Sequence, residues 1–404
     1  MKRGFIILIL VFVLIAGIFV FKSQKELLQP VQQSEELSPR NVNVSGDGIL
    51  DTEQSEDECE DLIKFDYPPV NLDKTRVVVP LGLMSGSHVT PVDHHYFQDF
   101  DNEEADIEVY SPGEGIVTEI QHMFGEYFDG NNGNVEWADY RLIIDHGCGV
   151  SSIYIHIDVL SDKIAEVAPE RGNHAKVNVP VEAGEVIGYY SQNVDYNLVD
   201  EDFVRGGFVI PEHYDSEPWK IHVPNTYDYF NEEIRVKLIE KSLRDEEPYE
   251  GKFDHDIDGK LIGNWFLEGT GGYGGTNRES YWRTHLSISP NYLDFNQIVV
   301  SLGDYDGKEA QFGVRGNSPD PAEVDVENGL VIYELVDFDY ITQNGEFWDR
   351  KSLVKGLRAK NYDSVQGTVL IEMIEDRKIR VEVFPGKSAS EIVGFTEDAK
   401  IYER

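Results

Sequence analysis

Short apolar runs broken by Gly, Asn and Asp dominate the chain from Arg76 onward. Val77–Val79, Ile107–Tyr110, Gly115–Ile120, Tyr140–Ile144, Ser152–Ile157 and Glu185–Tyr190 are rich in β-branched and aromatic residues and are bounded by turn formers. They predict an all-β unit over residues 76–229. One segment changes period: Phe230, Ile234, Leu238 and Leu243 share a face at helical spacing and the pattern stops before Pro248, which predicts one helix within a 230–258 linker. Strand signals resume at Lys260–Phe266, Gln297–Leu302, Leu330–Leu335, Gly367–Ile374 and Lys378–Phe384, with turns such as Asp304-Tyr-Asp-Gly307 between them. Residues 259–404 therefore read as a second antiparallel unit, a barrel or a sandwich. The fold class is mainly β.

The amino-terminal pattern is different. Phe5 to Phe21 carries no charge, follows Lys2 and Arg3, and is long enough as a helix to cross a hydrocarbon core. Residues 1–22 thus predict a transmembrane signal anchor, with a cleaved signal peptide as the alternative; both make the globular part extracytoplasmic. Residues 23–75 are poor in large apolar side chains and read as an acidic, disordered stalk. Within it Asp47, Asp51 and Glu53 place carboxylates at alternate positions around a Gly. This segment resembles one acidic calcium repeat of the thrombospondin type 3 kind, which implies calcium at those residues; plain disordered acid is the alternative.

Charge narrows the function classes. With 75 acidic against 35 basic residues the formal net charge is −40, a field that repels nucleic acid and draws in cations. No Gly-rich phosphate loop is present: Gly269–Gly275 lacks the Lys and the following helix such a loop needs. The two cysteines, Cys59 and Cys148, form either one exported bridge or two free thiols.

The candidate chemistry sits on three segments: His95-Tyr-Phe-Gln-Asp99, Tyr154-Ile-His156 and Trp219-Lys-Ile-His222. Strand alternation lets only one of His94 and His95 face a common site, and the even spacing from His95 to Asp99 favours His95 on a regular strand. Asp254-His-Asp-Ile-Asp-Gly259 begins like a calcium loop, Gly263-Asn-Trp265 is similar to the Gly-x-Trp of lipocalin barrels, and Tyr273, Tyr281 and Trp282 offer either a ligand platform or core. Val194–Ser216, bearing Gly206-Gly207, reads as an insertion that serves as a lid, a wall or plain decoration.

Two turn-strand signatures, Val109–Val117 and Val179–Gly188, mirror one another, and Asp145-His-Gly147, Tyr154-Ile-His156 and Ala183–Gly188 follow in order. On these motifs residues Leu81–Tyr227 resemble the lysostaphin or LytM-type zinc metalloendopeptidases. The resemblance implies a lysostaphin-like β domain of the barrel-sandwich hybrid type. It also implies zinc held by His95, Asp99 and His222 with an open position for water, and His156 as the residue that assists that water. Lys220 stands where the family has the first His of a His-x-His pair. A lysine, with a reference pKa of about 10.4, is a poor base, so the motif is degenerate. The implied function is hydrolysis of peptide bonds in cell-envelope polymers or proteins; the alternative is an inactive, peptidase-like binding or scaffolding module of the envelope.

Overall fold

A computed structural model describes residues 63–129 and 133–404. The expected membrane anchor, the calcium-loop residues Asp47, Asp51 and Glu53, and Cys59 lie outside the described residues. Among those described, no helix is long and apolar enough to cross a membrane. Cys148 is disulfide-bonded. The stalk does not run to residue 75: Phe65, Val70 and Leu72 are buried, and Phe65 N–H donates to Tyr229 O at 2.7 Å.

The first unit contains β1 (Val77–Val79), β2 (His95–Gln98), β3 (Ile107–Tyr110), β4 (Gly115–Asp129), β5 (Gly133–Asp145), β6 (Val150–Ile157), β7 (Val159–Leu160), β8 (His174–Val181), β9 (Val186–Tyr190) and β10 (Asn193–Asp200). Seven of them form one sheet in the order β1-β2-β10-β6-β5-β4-β8, and β3-β9-β7 form a second. The apolar core of this unit draws Leu142, Ile144, Tyr154, Tyr196 and Leu198 from the large sheet and Val109, Leu160, Ile187 and Tyr190 from the small one. Alternation explains how: along β10, Val194, Tyr196 and Leu198 are buried in this core, while Asp195 and Asn197 occupy the opposite face. Val194–Ser216 is therefore not an insertion throughout, because its start is a central strand of the large sheet.

The helix expected between the two units is Glu232–Lys241, with Ile234 and Leu238 buried. Asn231 caps it, its side-chain oxygen accepting from Ile234 N–H at 3.0 Å. Beyond it, β11 (Gly263–Leu267), β12 (His285–Pro290), β13 (Ile298–Tyr305), β14 (Lys308–Val314), β15 (Leu330–Ile341), β16 (Arg358–Glu375), β17 (Lys378–Pro385) and β18 (Lys400–Glu403) close an antiparallel barrel, β18 returning to pair with β11. Closure leaves the barrel no free sheet edge. Its interior is filled by Leu286, Ile288, Val300, Leu335, Val369, Ile371 and Trp265. Arg404 seals one end, its guanidinium 4.0 Å from the centre of the Trp265 ring and 3.7 Å from Asp256.

The two assemblies dock through a third apolar cluster. Leu81, Ile153 and Val199 from the first unit meet Phe208, Tyr214 and Val223 from the connection and Phe266 and Tyr273 from the barrel side. Gln311 on β14 holds the loop before β2 with paired bonds, accepting from Gly86 N–H and donating to Gly86 O, each at 2.9 Å. Gly272 permits a close approach: at φ +73 a side chain is strained, and its Cβ would lie 2.4 Å from His213 O.

Candidate functional site

The outward face of β2, β10 and β6 meets the barrel in a small cleft of about 120 Å³. Three parts of the chain build it. The loop entering β2 and the strands supply His88, Asp93, His94, Asp195 and Asn197; the one-turn helix Pro218–His222 and the residue before it supply Lys220 and Glu217; the glycine-rich loop after β11 supplies Tyr273 and Tyr281.

Ionisable groups run through it in alternation. Lys220 Nζ lies 3.1 Å from Asp93 Oδ1, and His94 Nδ1 lies 3.3 Å from the same oxygen. His94 Nε2 is 3.6 Å from Asp195 Oδ2, which stands 3.8 Å from His156 Nε2. His156 Nδ1 closes the chain at 2.6 Å from Asp139 Oδ2. The Lys220 and Asp93 side chains are only 4% and 6% exposed, so this is a buried ion pair whose partners cannot be removed singly without stranding a charge.

His156 reaches this face through a local irregularity. Regular alternation from Tyr154, which is in the core, would turn residue 156 inward as well. The pairing of β5 with β6 instead shifts register between Tyr140 and Leu142, so that Tyr154 and Ile157 are the core residues and His156 takes φ +71. A bulge that re-aims one side chain, at a left-handed conformation costly for a non-glycine residue, is a common mark of a working site.

The electrostatics follow from burial and pairing. Burial alone would depress the His156 pKa, but Asp139 beside it, assisted by Asp195, pushes it up to about 9, so the imidazole is a cation at neutral pH. Burial would raise Asp93, yet Lys220 and His94 hold it well below the usual carboxylate range. Glu217 is pushed up to about 7 by burial against the pull of Lys220. Asp195 is raised, again by burial first. His88 is driven down to about 3 by burial and by the nearby His94 and Lys220, and is neutral.

Of the five residues assigned to the zinc site from sequence, Lys220 lines the cleft and His156 lies beside it through Asp195, while His95, Asp99 and His222 do not line it. His95 points the opposite way: it is 0% exposed, and its ring stacks on Tyr227 at 5.1 Å. Asp99 lies past the end of β2, where strand alternation no longer applies, and pairs with Arg76 at 3.0 Å. His222 sits on the one-turn helix rather than on a strand, with Nδ1 2.7 Å from Phe203 O. His95 has both ring nitrogens without a hydrogen-bond partner, but it faces the Tyr227 side while Asp99 and His222 pair with Arg76 and Phe203 O, so the structure does not bring the three together around one ion. Among the described residues no group of three or more His, Cys, Asp or Glu side chains is arranged to hold a metal. His94, the rival in the His-His doublet, is the one that faces the cleft.

Sequence reading missed Asp93, Asp139, Asp195, Asn197 and Glu217. Asp195 and Asn197 had a signal in Val194-Asp-Tyr-Asn-Leu198, a period-2 alternation of a strand with one apolar and one polar face. Glu217 had none, since only tertiary packing brings its loop over the sheet.

No family model matches this sequence, and no curated protein matches it. Among solved structures, the crystal structure of the binding domain of Paraclostridial Mosquitocidal Protein 1 aligns over 82% of this chain and 92% of that one, at 8% identity and a TM-score of 0.14. A likeness that slight carries no argument.

Proposed function

We propose that this is a membrane-anchored, extracytoplasmic protein of the cell envelope whose first β unit is a lysostaphin-like domain working as a metal-free binding module. The observation that carries the reading is the Lys220–Asp93 pair. Lys220, at the position where hydrolases of the resembled type carry a histidine, is buried in an ion pair with Asp93 3.1 Å away, so a fixed ammonium stands in place of a group that would assist a zinc-bound water. Support also comes from His156: as a cation it orients or donates, but it is a poor general base at neutral pH. The ligand is a peptide-like segment of the envelope, held against the outward faces of β2, β10 and β6. The barrel supplies one wall and keeps the cleft closed on that side.

The test is metal analysis of the purified protein together with a peptide-cleavage assay, each with and without chelator. We expect no stoichiometric zinc and no chelator-sensitive turnover. One zinc per chain, lost in a His95→Ala or His222→Ala variant, would restore the peptidase reading.

A further inference from the structure

Two acceptor oxygens on the same face of β10 lack a close donor. Asn197 is 6% exposed, and its Nδ2 donates to Asp93 Oδ2 at 3.1 Å. A carboxylate can only accept, so that bond fixes the amide orientation. Asn197 Oδ1 is left buried in the cleft wall with no hydrogen-bond partner. An acceptor in that state carries the full cost of its lost hydration unless something donates to it. Two residues earlier, Asp195 gives Oδ1 to Asn193 Nδ2 at 2.8 Å, while Oδ2 stands 3.6 Å from His94 and 3.8 Å from His156, both longer than hydrogen bonds. Opposite them, Glu217 lines the cleft, and the Tyr273 and Tyr281 rings lie 5.2 Å apart.

Resting on the binding-module reading, we propose that the group this cleft receives is a primary ammonium on an alkyl chain, such as a lysine side chain of the ligand. An ammonium is a compact charge with three donors, enough for Asn197 Oδ1, Asp195 Oδ2 and the Glu217 carboxyl. The aromatic wall suits its charge and its methylene stem. The site already demonstrates the chemistry, because the Lys220 ammonium lies 4.9 Å from the centre of the Tyr273 ring. The cations in or beside the cleft do not fill this role: Lys220 is neutralised by Asp93, His156 by Asp139 and Arg141 by Glu119. On β10 itself an anion would meet two acceptors; the unpartnered ring nitrogens nearby, His88 Nε2 and His156 Nε2, lie on other elements. The chain's net charge of −40 concentrates cationic ligands around the molecule as a whole.

Calorimetric titration of the intact protein with Nα-acetyl-lysine N-methylamide, with its uncharged norleucine counterpart and with acetate tests this directly. We expect saturable one-to-one binding of the lysine compound, at least about 10-fold weaker binding of the norleucine compound, and none of acetate. Asp195→Asn, checked for folding by circular dichroism, should weaken the lysine compound by a similar factor. Equal affinity for the lysine and norleucine compounds, preference for acetate, or no saturable binding at all overturns the proposal on the unmodified protein, whether or not the variant folds. Zinc retention or turnover is read separately and bears on the binding-module reading, so the two can fail independently.

Discussion

The barrel and the open sheet are both antiparallel β assemblies of one chain, yet they treat their enclosed faces in opposite ways. The barrel fills its interior with aliphatic side chains and Trp265, and its closure leaves no strand edge to cover. The seven-stranded sheet has one face of the same kind, but the other, enclosed by the connection and the barrel, carries Asp93, His94, Asp195, Asn197 and His156 in a nearly dry setting. Buried ionisable groups are weak evidence for stability and stronger evidence for a site, since aliphatic packing would serve the fold as well. The difference shows where this protein departs from the cheapest way of packing a β domain.

That contrast is sharpest in mutation. Trp265→Ala should open a cavity in the barrel and cost about 4 kcal/mol, read as a lower urea midpoint; an unchanged midpoint would mean that the barrel interior is not a packed core. Lys220→Met removes little volume but strands Asp93, and a loss of about 3 kcal/mol is expected. Adding Asp93→Leu to Lys220→Met should recover more than half of it, which cavity repacking alone would not achieve. If the double variant is as unstable as the single one, the pair is not the source of the effect.

A third contrast concerns pH. His156 has its folded pKa raised to about 9 from the ordinary histidine value of 6.5. The stability from its pairing with Asp139 is therefore fully present below about pH 6.5 and is lost as pH rises through about 9, on the order of 2 kcal/mol. Melting temperatures between pH 6 and 10 should fall in the parent protein, and the fall should flatten in Asp139→Asn. Identical profiles would remove the dyad from the account. The smallest effect lies outside both assemblies: Asn231→Ala deletes the cap of the linking helix and should cost about 1 kcal/mol, visible as a small shift in the same melts with cleft binding unchanged.

Much of the fold was legible because period-2 patterning is a local property. Val77–Val79 and Ile107–Tyr110 were read with the bounds the structure gives them, and the helix face of Ile234 and Leu238 followed from a period of 3.6. β10 was passed over because Val194–Ser216 was read as an insertion, although Val194-Asp-Tyr-Asn-Leu198 alternates as a strand does. The chemistry was less legible. The spacing argument for His95 and Asp99 assumed a strand long enough to hold both, and β2 stops at Gln98.

Two β units joined by one helix can be read from the chain alone, because strand and helix periods are written in consecutive residues and need no partner to be recognised. Which of His94 and His95 faces the cleft, the bulge that turns His156 outward and the closure of Lys220 on Asp93 emerge only when the chain is folded. Those outcomes depend on register, on where a strand ends and on what packs over a sheet face, and each is set by contacts between residues far apart in the chain.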